Sequence, residues 1–262
     1  MIQKKLFGLI GFPLTHSFSK KYFTEKFEKE GFSDCRYELF PIEDVNQFPH
    51  LISENPDLVG LNVTIPYKEK IIPYLTELDE TAKAVGAVNC IKIIRDEGQV
   101  TGDENNRKLI GYNTDVFGFK QSIKPFLESH HQRALILGTG GGSKAVAYVL
   151  KEIGIDCYFV SRNKHHDSGA NIFLYEEINE YVINAFHLIV NATPVGMYPN
   201  INEVPEIPFE FITDKHLLYD LVYNPTETNF LRKGKEKGAI CINGLSMLYL
   251  QAEKTWEVWN TD

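Results

Sequence analysis

The amino-acid sequence predicts an α/β protein made of two α/β units. Strand and helix signals alternate throughout the first half of the chain. The stretch ALILGTGGGSKAVAYVLKEIGIDCYFVSRN, residues 134–163, then reads as an apolar strand, a glycine turn, a helix with an apolar face and a second strand. Such a βαβ unit favours a parallel sheet. The chain of 262 residues is long enough for two α/β units, which fit the pattern better than a single barrel.

The first unit begins with a strand, KLFGLIG, after which Ser17 or Ser19 is expected to cap a helix that ends at Gly31. Two more strands, CRYELFPI and LVGLNVTI, are each followed by a helical pattern, in DVNQFPHLI and in KEKIIPYLTEL. The segments AVNCIKII and KLIGYNTD predict a hairpin joined by a polar loop rich in turn residues. A helix, FGFKQSIKPFLE, follows the hairpin.

The second unit continues with three more strands after the βαβ segment. They are predicted in FHLIVNATP, HLLYDLVYN and GAICING, with helical signals between or after them. The last segment, LSMLYLQAEKTWEVW, is amphipathic, with Leu245, Leu248, Ala252 and Trp256 roughly on one face. We expect this helix to fold back against the N-terminal half.

The composition, with 43% hydrophobic and 24% charged residues, is that of a globular protein. A net charge of −8 argues against nucleic-acid binding, because phosphate recognition needs a basic surface. No stretch approaches the roughly 18 apolar residues of a membrane span, and the apolar N-terminal run contains glycines and ends at Pro13, unlike a signal peptide. The four cysteines are scattered, which favours free thiols over disulfides or zinc. We therefore expect a cytoplasmic protein without a metal.

The segment GTGGGS, Gly138 to Ser143, follows a strand and opens a helix, which is the setting of a dinucleotide fingerprint. Glycines let the backbone approach a pyrophosphate, whose charge is met by N–H groups at the helix N-terminus. Ser143 stands where the third glycine of GxGxxG is usual, so the motif is a variant. A plain glycine-rich turn is the alternative interpretation.

The next strand, CYFVSRN, ends in Ser161, Arg162 and Asn163, and the first acid after it is Asp167. NAD enzymes usually place Asp or Glu in this region to bind the ribose hydroxyls. A guanidinium instead pairs with a 2′-phosphate and stacks on adenine. Arg162 therefore indicates NADP, with a solvated loop arginine as the alternative.

Lys68 and Asp115 occupy matching places, each just after a strand of the first half and just before a predicted helix. Ligands of open α/β sheets bind at the carboxyl ends of strands, and a lysine beside a carboxylate is suited to proton transfer there. Lysines and aspartates are nevertheless common at strand ends. His16 also lies shortly after a strand, where it either touches a ligand or makes a hydrogen bond within a turn.

Small polar side chains recur at the predicted strand ends of the first half. They are Ser17, Ser19, Asn62, Thr64, Asn89, Asn113 and Thr114. Neutral donors and acceptors of this kind suit a polyhydroxylated ligand with a carboxylate. Capping and turn formation by Ser, Thr and Asn are the alternative.

Together these motifs resemble the shikimate dehydrogenases of aromatic amino-acid biosynthesis almost end to end. In the first half, the segments GFPLTHSFS, NVTIPYK, GAVN and GYNTDVFG are similar to motifs of that family. The resemblance implies that Lys68 is the catalytic lysine and that Asp115 is its partner. It also implies a set of substrate-binding residues in this half, namely Ser17, Ser19, Thr64 and Asn89.

In the second half, GTGGGSKA and SRN resemble the family's pyrophosphate loop and 2′-phosphate site, and NATPVGM resembles the segment beside the nicotinamide. The resemblance of DLVYNPTETNFL and NGLSMLYLQA implies that Tyr223 and Gln251 bind substrate. The implied cofactor-binding residues are Gly138, Gly140, Gly141, Gly142, Ser161, Arg162, Asn163, Thr193, Met197 and Gly244, with Asn191 near the nicotinamide.

The resemblance implies an enzyme of two α/β domains with the active site in the cleft between them. Residues 1–114 plus 244–262 would form the substrate domain, and residues 115–243 would form a Rossmann-type NADP-binding domain. The implied reaction is the reversible reduction of 3-dehydroshikimate to shikimate by NADPH. The implied partners are a small-molecule substrate and NADP(H), without metal, nucleic acid or membrane, in a monomer or homodimer.

The sequence departs from the family pattern in three places. Lys20 stands where the family usually has proline, Cys90 ends a segment that is usually AVNT, and Ser161-Arg162-Asn163 replaces NRT. Three alternatives stay open: a quinate/shikimate dehydrogenase that uses NAD, a nucleotide-binding regulator that has lost turnover, and a related two-domain dehydrogenase that acts on a folate.

Overall fold

The computed structural model describes residues 4–14, 17–95, 107–163 and 171–261. These residues form two sheets of six strands each, with helices around them, so the predicted α/β class is confirmed. The chain divides into two compact units, Met1–Thr114 with Ala252–Asp262, and Asp115–Gln251. This division returns the chain to the first unit at Ala252, within the last helix, rather than at the predicted Gly244. The predicted domain boundaries and roles stay a prediction.

The elements of the first unit are β1 (Lys5–Gly11), α1 (Phe18–Glu30), β2 (Cys35–Pro41), α2 (Phe48–Glu54), β3 (Leu58–Val63), β4 (Glu77–Leu78), α3 (Glu80–Val85), β5 (Cys90–Arg95) and β6 (Arg107–Tyr112). Its strands form a mixed sheet in the order β2-β1-β3-β5-β6-β4. β1 is parallel to β2 and β3, whereas β5 is antiparallel to both β3 and β6. The predicted hairpin is thus the β5–β6 pair.

The predicted helix in KEKIIPYLTEL is wrong. A short 3₁₀ turn (Ile72–Tyr74) and the strand β4 stand there instead. Pro73 explains the difference, because it lacks the N–H that an α-helix needs at that position and its ring clashes with the preceding turn. The sequence pattern also did not predict α3, which Asp79 caps by accepting a 2.8 Å hydrogen bond from the Ala82 N–H.

The last helix, α8 (Leu245–Asn260), supplies its C-terminal part to the first unit. Trp259 packs on Phe7 with 4.7 Å between ring centroids, and its indole N–H donates a 3.0 Å hydrogen bond to the Ile91 carbonyl. Gly60 of β3 leaves room for the Trp259 ring, because a Cβ atom at that position would lie 2.4 Å from the indole nitrogen of Trp259. Trp259 therefore fixes the C-terminal part of α8 on this sheet.

The elements of the second unit before α8 are α4 (Asp115–Ile123), β7 (Arg133–Leu137), α5 (Gly141–Glu152), β8 (Asp156–Ser161), β9 (Ile172–Leu174), α6 (Glu180–Ala185), β10 (Leu188–Asn191), β11 (Leu217–Asp220), α7 (Asn229–Glu236) and β12 (Ile240–Ile242). Its six strands form a parallel sheet in the order β12-β11-β10-β7-β8-β9. The chain runs outward from β7 to β9 and then returns to β10 on the other side of β7. The strand order therefore reverses between β7 and β10, where doubly wound sheets bind ligands.

Candidate active site

The polar residues predicted in the first unit gather at one edge of its sheet. β5 begins beside the end of β3, because Asn62 pairs with Cys90, and β6 ends beside the start of β5, because Cys90 pairs with Tyr112. The end of the parallel strand β1 lies at the same edge. Residues that follow β1, β3 and β6 or precede β5 therefore meet there, namely Ser17, Ser19, Thr64, Lys68, Asn89 and Thr114.

The loop that carries Lys68 is held at several points. The Thr64 N–H donates a 3.0 Å hydrogen bond to the Ile10 carbonyl at the end of β1. The Val88 N–H donates a 2.7 Å bond to the carbonyl of Lys68 itself. Between them, the buried hydroxyl of Tyr67 donates a 2.6 Å bond to a backbone carbonyl after β2. The backbone of the half-buried Lys68 is thus fixed to its neighbours on both sides.

Asn89 and Thr114 are joined by reciprocal hydrogen bonds in the interior of the first unit. The Thr114 N–H donates to Asn89 Oδ1 at 2.7 Å, and Asn89 Nδ2 donates to Thr114 Oγ1 at 2.9 Å. Thr114 Oγ1 also lies 3.0 Å from Thr255 Oγ1 of α8. These bonds fix the backbone one residue before Asp115.

The side chain of Ser17 forms the N-cap of α1. Its hydroxyl oxygen accepts a 3.3 Å hydrogen bond from the Lys20 N–H. A hydroxyl that accepts in this way still carries its own proton, so it is able to donate to a carboxylate. The Lys20 ammonium forms an ion pair with Glu38 at 2.8 Å.

Asp115, Tyr223 and Gln251 lie in the second unit. Asp115 is the first residue of α4 and is only 5% exposed. One turn later, α4 approaches the backbone of α8 so closely that a Cβ on Gly118 would lie 3.1 Å from Gln251 Cβ. Gln251 is thus packed against the helix that Asp115 begins. Tyr223 follows β11, and burial raises the pKa of its phenol.

The glycine turn after β7 provides a cradle that fits a dinucleotide pyrophosphate. Gly138 has a φ of +101°, which disfavours any other residue. A Cβ on Gly140 would have no atom within 4 Å, so space is open in front of the turn. The N-cap of α5 is Gly140, which has no side chain to accept from the N–H groups of the first turn, so these groups are suited to an anion. Ser143, in place of the third glycine, is fully buried.

The end of β8 carries Ser161, Arg162 and Asn163 at the same edge of the parallel sheet. Ser161 Oγ accepts a 3.3 Å hydrogen bond from the Asn163 N–H, and the Arg162 side chain is exposed. No carboxylate stands among these three residues. His16, Lys164 and Asp167 lie outside the described residues.

Two further loops border this edge, after β10 and after β12. Thr193 donates to Asn191 Oδ1 twice, from its hydroxyl at 2.6 Å and from its N–H at 3.1 Å. Its methyl group packs on the glycine turn, since a Cβ on Gly138 would lie 2.9 Å from Thr193 Cγ2. Met197 is 41% exposed. A Cβ on Gly244 would lie 2.2 Å from the Leu221 carbonyl oxygen, so only glycine fits there.

Within the described ranges, no group of three or more His, Cys, Asp or Glu side chains is arranged to hold a metal ion. The helices in this part of the chain are also too short or too polar to cross a bilayer.

Comparison with known proteins places the chain in a family. Residues 9–91 match the model of the shikimate dehydrogenase substrate-binding domain. The shikimate dehydrogenase (NADP(+)) of Carboxydothermus hydrogenoformans is 37% identical over 98% of this chain and 92% of the relative. The corresponding protein of Staphylococcus haemolyticus is 36% identical over 97% of this chain and 91% of the relative. The chain belongs to the shikimate dehydrogenase family.

Solved structures of shikimate dehydrogenases share this fold. The Thermus thermophilus enzyme in complex with NADP(H) and shikimate has a TM-score of 0.80 and 30% identity, over 98% of this chain and 93% of that one. The Listeria monocytogenes enzyme in complex with shikimate and NAD has a TM-score of 0.81 and 27% identity, over 99% and 92%. Members of this fold have therefore been seen with either nicotinamide cofactor.

Two departures from the shikimate dehydrogenase pattern are explained by the structure. The Lys20 N–H caps α1 through Ser17, a bond that proline at this position would not make. Cys90 is fully buried beside Thr255 and Trp259, so its thiol packs in the interior and not at the surface of the site. Neither departure removes a proton-carrying side chain.

Proposed function

We propose that this chain catalyses the reversible NADPH-dependent reduction of 3-dehydroshikimate to shikimate, with Lys68 and Asp115 as the proton-transfer pair. The observation that carries the proposal is the meeting of Ser17, Ser19, Thr64, Lys68 and Asn89 at one sheet edge, in a chain related over nearly its whole length to shikimate dehydrogenases. In the sequence, these residues lie in three separate segments, which follow β1, follow β3 and precede β5.

The substrate would be held by neutral donors and acceptors of this edge. Ser17 and Ser19 would bind the ring carboxylate through their hydroxyl protons, which suits a chain whose net charge of −8 does not attract anions by itself. The remaining substrate-binding residues would contact the hydroxyl and carbonyl oxygens of the ring, namely Thr64, Asn89, Tyr223 and Gln251. A site built on paired hydrogen bonds discriminates strongly against analogues that lack one of the hydroxyls.

NADPH, when bound, supplies the hydride that reduces the ring carbonyl carbon. As that carbonyl oxygen takes up the electron pair, Lys68 with Asp115 gives it a proton, and in the reverse direction the pair removes the proton from the hydroxyl. Asp115 is buried at the start of α4, so bulk water is excluded from its side chain and does not compete with it in the proposed proton transfer.

The cofactor would be held along the second sheet. The first-turn N–H groups of α5, with Gly138, Gly140, Gly141 and Gly142, would bind the pyrophosphate. Ser161, Arg162 and Asn163 would bind the 2′-phosphate, and Thr193, Met197 and Gly244 would lie beside the nicotinamide. The open space at Gly140 and the uncapped helix start support this arrangement.

The second candidate is a quinate/shikimate dehydrogenase that uses NAD. The observation that favours this candidate is the Listeria monocytogenes structure, which was solved in complex with shikimate and NAD. Arg162 without an acid beside it argues for the 2′-phosphate of NADP. The experiment is a spectrophotometric assay of purified protein with NADPH or NADH and with 3-dehydroshikimate or 3-dehydroquinate. We expect turnover chiefly with NADPH and 3-dehydroshikimate; binding of NADPH without turnover would favour a regulator.

The proposed setting is the reducing cytoplasm. The cysteines in the described ranges, Cys35, Cys90, Cys157 and Cys241, are all free thiols, as is usual for proteins of that compartment. Oxidation state in a lysate, read by thiol labelling, tests this proposal.

A further inference from the structure

Asp220 is a carboxylate in the interior of the second unit. It is the last residue of β11 and is 0% exposed. Within the described ranges its partners are neutral donors: the Thr228 hydroxyl donates to Oδ2 at 2.5 Å, and Asn191 Nδ2 and the Val222 N–H each donate to Oδ1 at 3.0 Å. Burial raises the pKa of this carboxyl group to about 6. Because a buried carboxylate is costly to desolvate, its presence calls for a role.

On one side, Asp220 orients the loop after β10. Asn191 lies opposite Asp220 in the parallel register of β10 and β11. Since Asp220 accepts from Asn191 Nδ2, the amide oxygen of Asn191 points the other way, where it accepts both the N–H and the hydroxyl of Thr193. The Thr193 methyl then packs against Gly138. A chain of contacts thus leads from the carboxylate to the glycine turn.

On the other side, Asp220 orients the loop after β11. Its Oδ1 accepts from the Val222 N–H, the residue before Tyr223. The Val222 carbonyl in turn accepts a 3.2 Å hydrogen bond from the Gly244 N–H. One buried carboxylate therefore holds the segments that carry Thr193, Tyr223 and Gly244.

We propose that Asp220 is a positioning residue for the nicotinamide half of the cofactor site: it locks the loops after β10 and β11 in the geometry that binds this half. The inference rests on the proposed function, which assigns Thr193 and Gly244 to the nicotinamide. Asp220 would act through these loops and would not itself contact the cofactor. Its loss would lower the fraction of molecules with competent loops, and the apparent affinity falls in proportion to that fraction.

The first test compares two ligands on the purified protein by calorimetry, without substrate. NADPH occupies the whole cofactor site, whereas adenosine 2′,5′-bisphosphate occupies the Arg162 end only. Asp220→Leu should lower the affinity for NADPH by about tenfold or more and the affinity for adenosine 2′,5′-bisphosphate by less than about twofold. Parallel weakening of both ligands would mean a general loss of structure and would overturn the proposal.

Tyr219→Phe is the matched control. Tyr219 is the neighbouring fully buried residue on β11, its side chain lies on the opposite face, and it shares a 2.6 Å hydrogen bond with Ser122. This variant should lower the unfolding temperature and leave both affinities unchanged. A loss of NADPH affinity as large as that of Asp220→Leu would show that any buried hydrogen bond of β11 has the same effect.

Asp220→Asn keeps the test decisive if the leucine variant does not fold. Asparagine retains one acceptor oxygen for Asn191 and Val222 but turns an N–H₂ group toward Thr228. We expect an intermediate loss of NADPH affinity, about threefold, with faster amide hydrogen exchange at Thr193 and Val222 in the cofactor-free protein. Unchanged exchange and unchanged affinity would overturn the proposal. If the unmodified chain failed to bind NADPH, the proposed function would fail first, independently of Asp220.

Discussion

The phenol of Tyr37 donates a 2.8 Å hydrogen bond to Oδ1 of Asn62, and both side chains are buried in the first unit. Burial raises the pKa of Tyr37, and the Ser19 hydroxyl beside it opposes part of that rise. Asn62 Nδ2 continues the path by donating to the Asn89 carbonyl at 3.3 Å. Two residues proposed to bind substrate, Ser19 and Asn89, are thus joined through a tyrosine that the sequence pattern did not single out.

Tyr37→Phe should therefore affect both stability and substrate binding. The variant leaves Asn62 Oδ1 without its buried donor, which should cost about 1–3 kcal/mol in the free energy of unfolding. With Ser19 no longer oriented, KM for shikimate should rise while kcat changes little. Denaturant unfolding and steady-state kinetics measure the two effects. Tyr74→Phe, which removes a hydroxyl bond to Asn46 on the surface of the same unit, is the control and should leave KM unchanged.

Lys68→Ala should lower kcat by about 10²-fold or more, the usual scale of general acid–base catalysis. Shikimate and NADPH affinities should change little, because the proposed role of Lys68 lies in the transition state. The exposed Lys70 in the same loop provides the matched control, and Lys70→Ala should retain activity. Near-normal turnover in Lys68→Ala would exclude it as the proton carrier.

Arg162→Ala should lower the affinity for NADPH by roughly tenfold or more, because a charge-assisted contact to the 2′-phosphate is lost. The affinity for NADH, which lacks that phosphate, should change little. Arg133→Ala is the control, since Arg133 is also exposed but begins β7 at the opposite edge of the sheet. Equal losses for the two cofactors in Arg162→Ala would contradict the 2′-phosphate assignment.

Patterns local in sequence were sufficient to predict both α/β units, the Gly138 turn and the amphipathic α8. Contacts between distant strands were not visible in this way. Asn191 and Asp220 are partners only because β10 and β11 are parallel and in register, and Tyr37 reaches Asn62 only because both β2 and β3 pair with β1. The helix predicted at residues 68–78 was wrong for a local reason. The apolar spacing there is typical of a helix, but Pro73 disfavours one.

A group of histidines predicts how stability depends on pH. His187 lies between His130 and His216, with ring centroids 5.6 Å and 5.1 Å away, and the ring centroid of His131 lies 4.2 Å from that of His130. Burial, helped by neighbouring histidines, lowers the pKa of His131, His187 and His216. Lys215 faces His187 with the same effect, and Glu128 acts on His131 in the opposite sense.

The unfolded chain therefore binds more protons than the folded one as pH falls through the ordinary histidine range, so the free energy of unfolding should fall between about pH 7.5 and 6. Asp220, whose folded-state pKa is raised to about 6, acts with the opposite sign, but it does so mainly below that pH.

His216→Gln keeps a donor for the Ile183 carbonyl that His216 Nε2 contacts at 3.1 Å, and it removes one titrating group. Its unfolding free energy should depend less steeply on pH than that of the parent chain. His50→Gln, at an exposed histidine of α2, should leave the slope unchanged, and an equal flattening in both variants would assign the pH dependence to histidine content instead of burial.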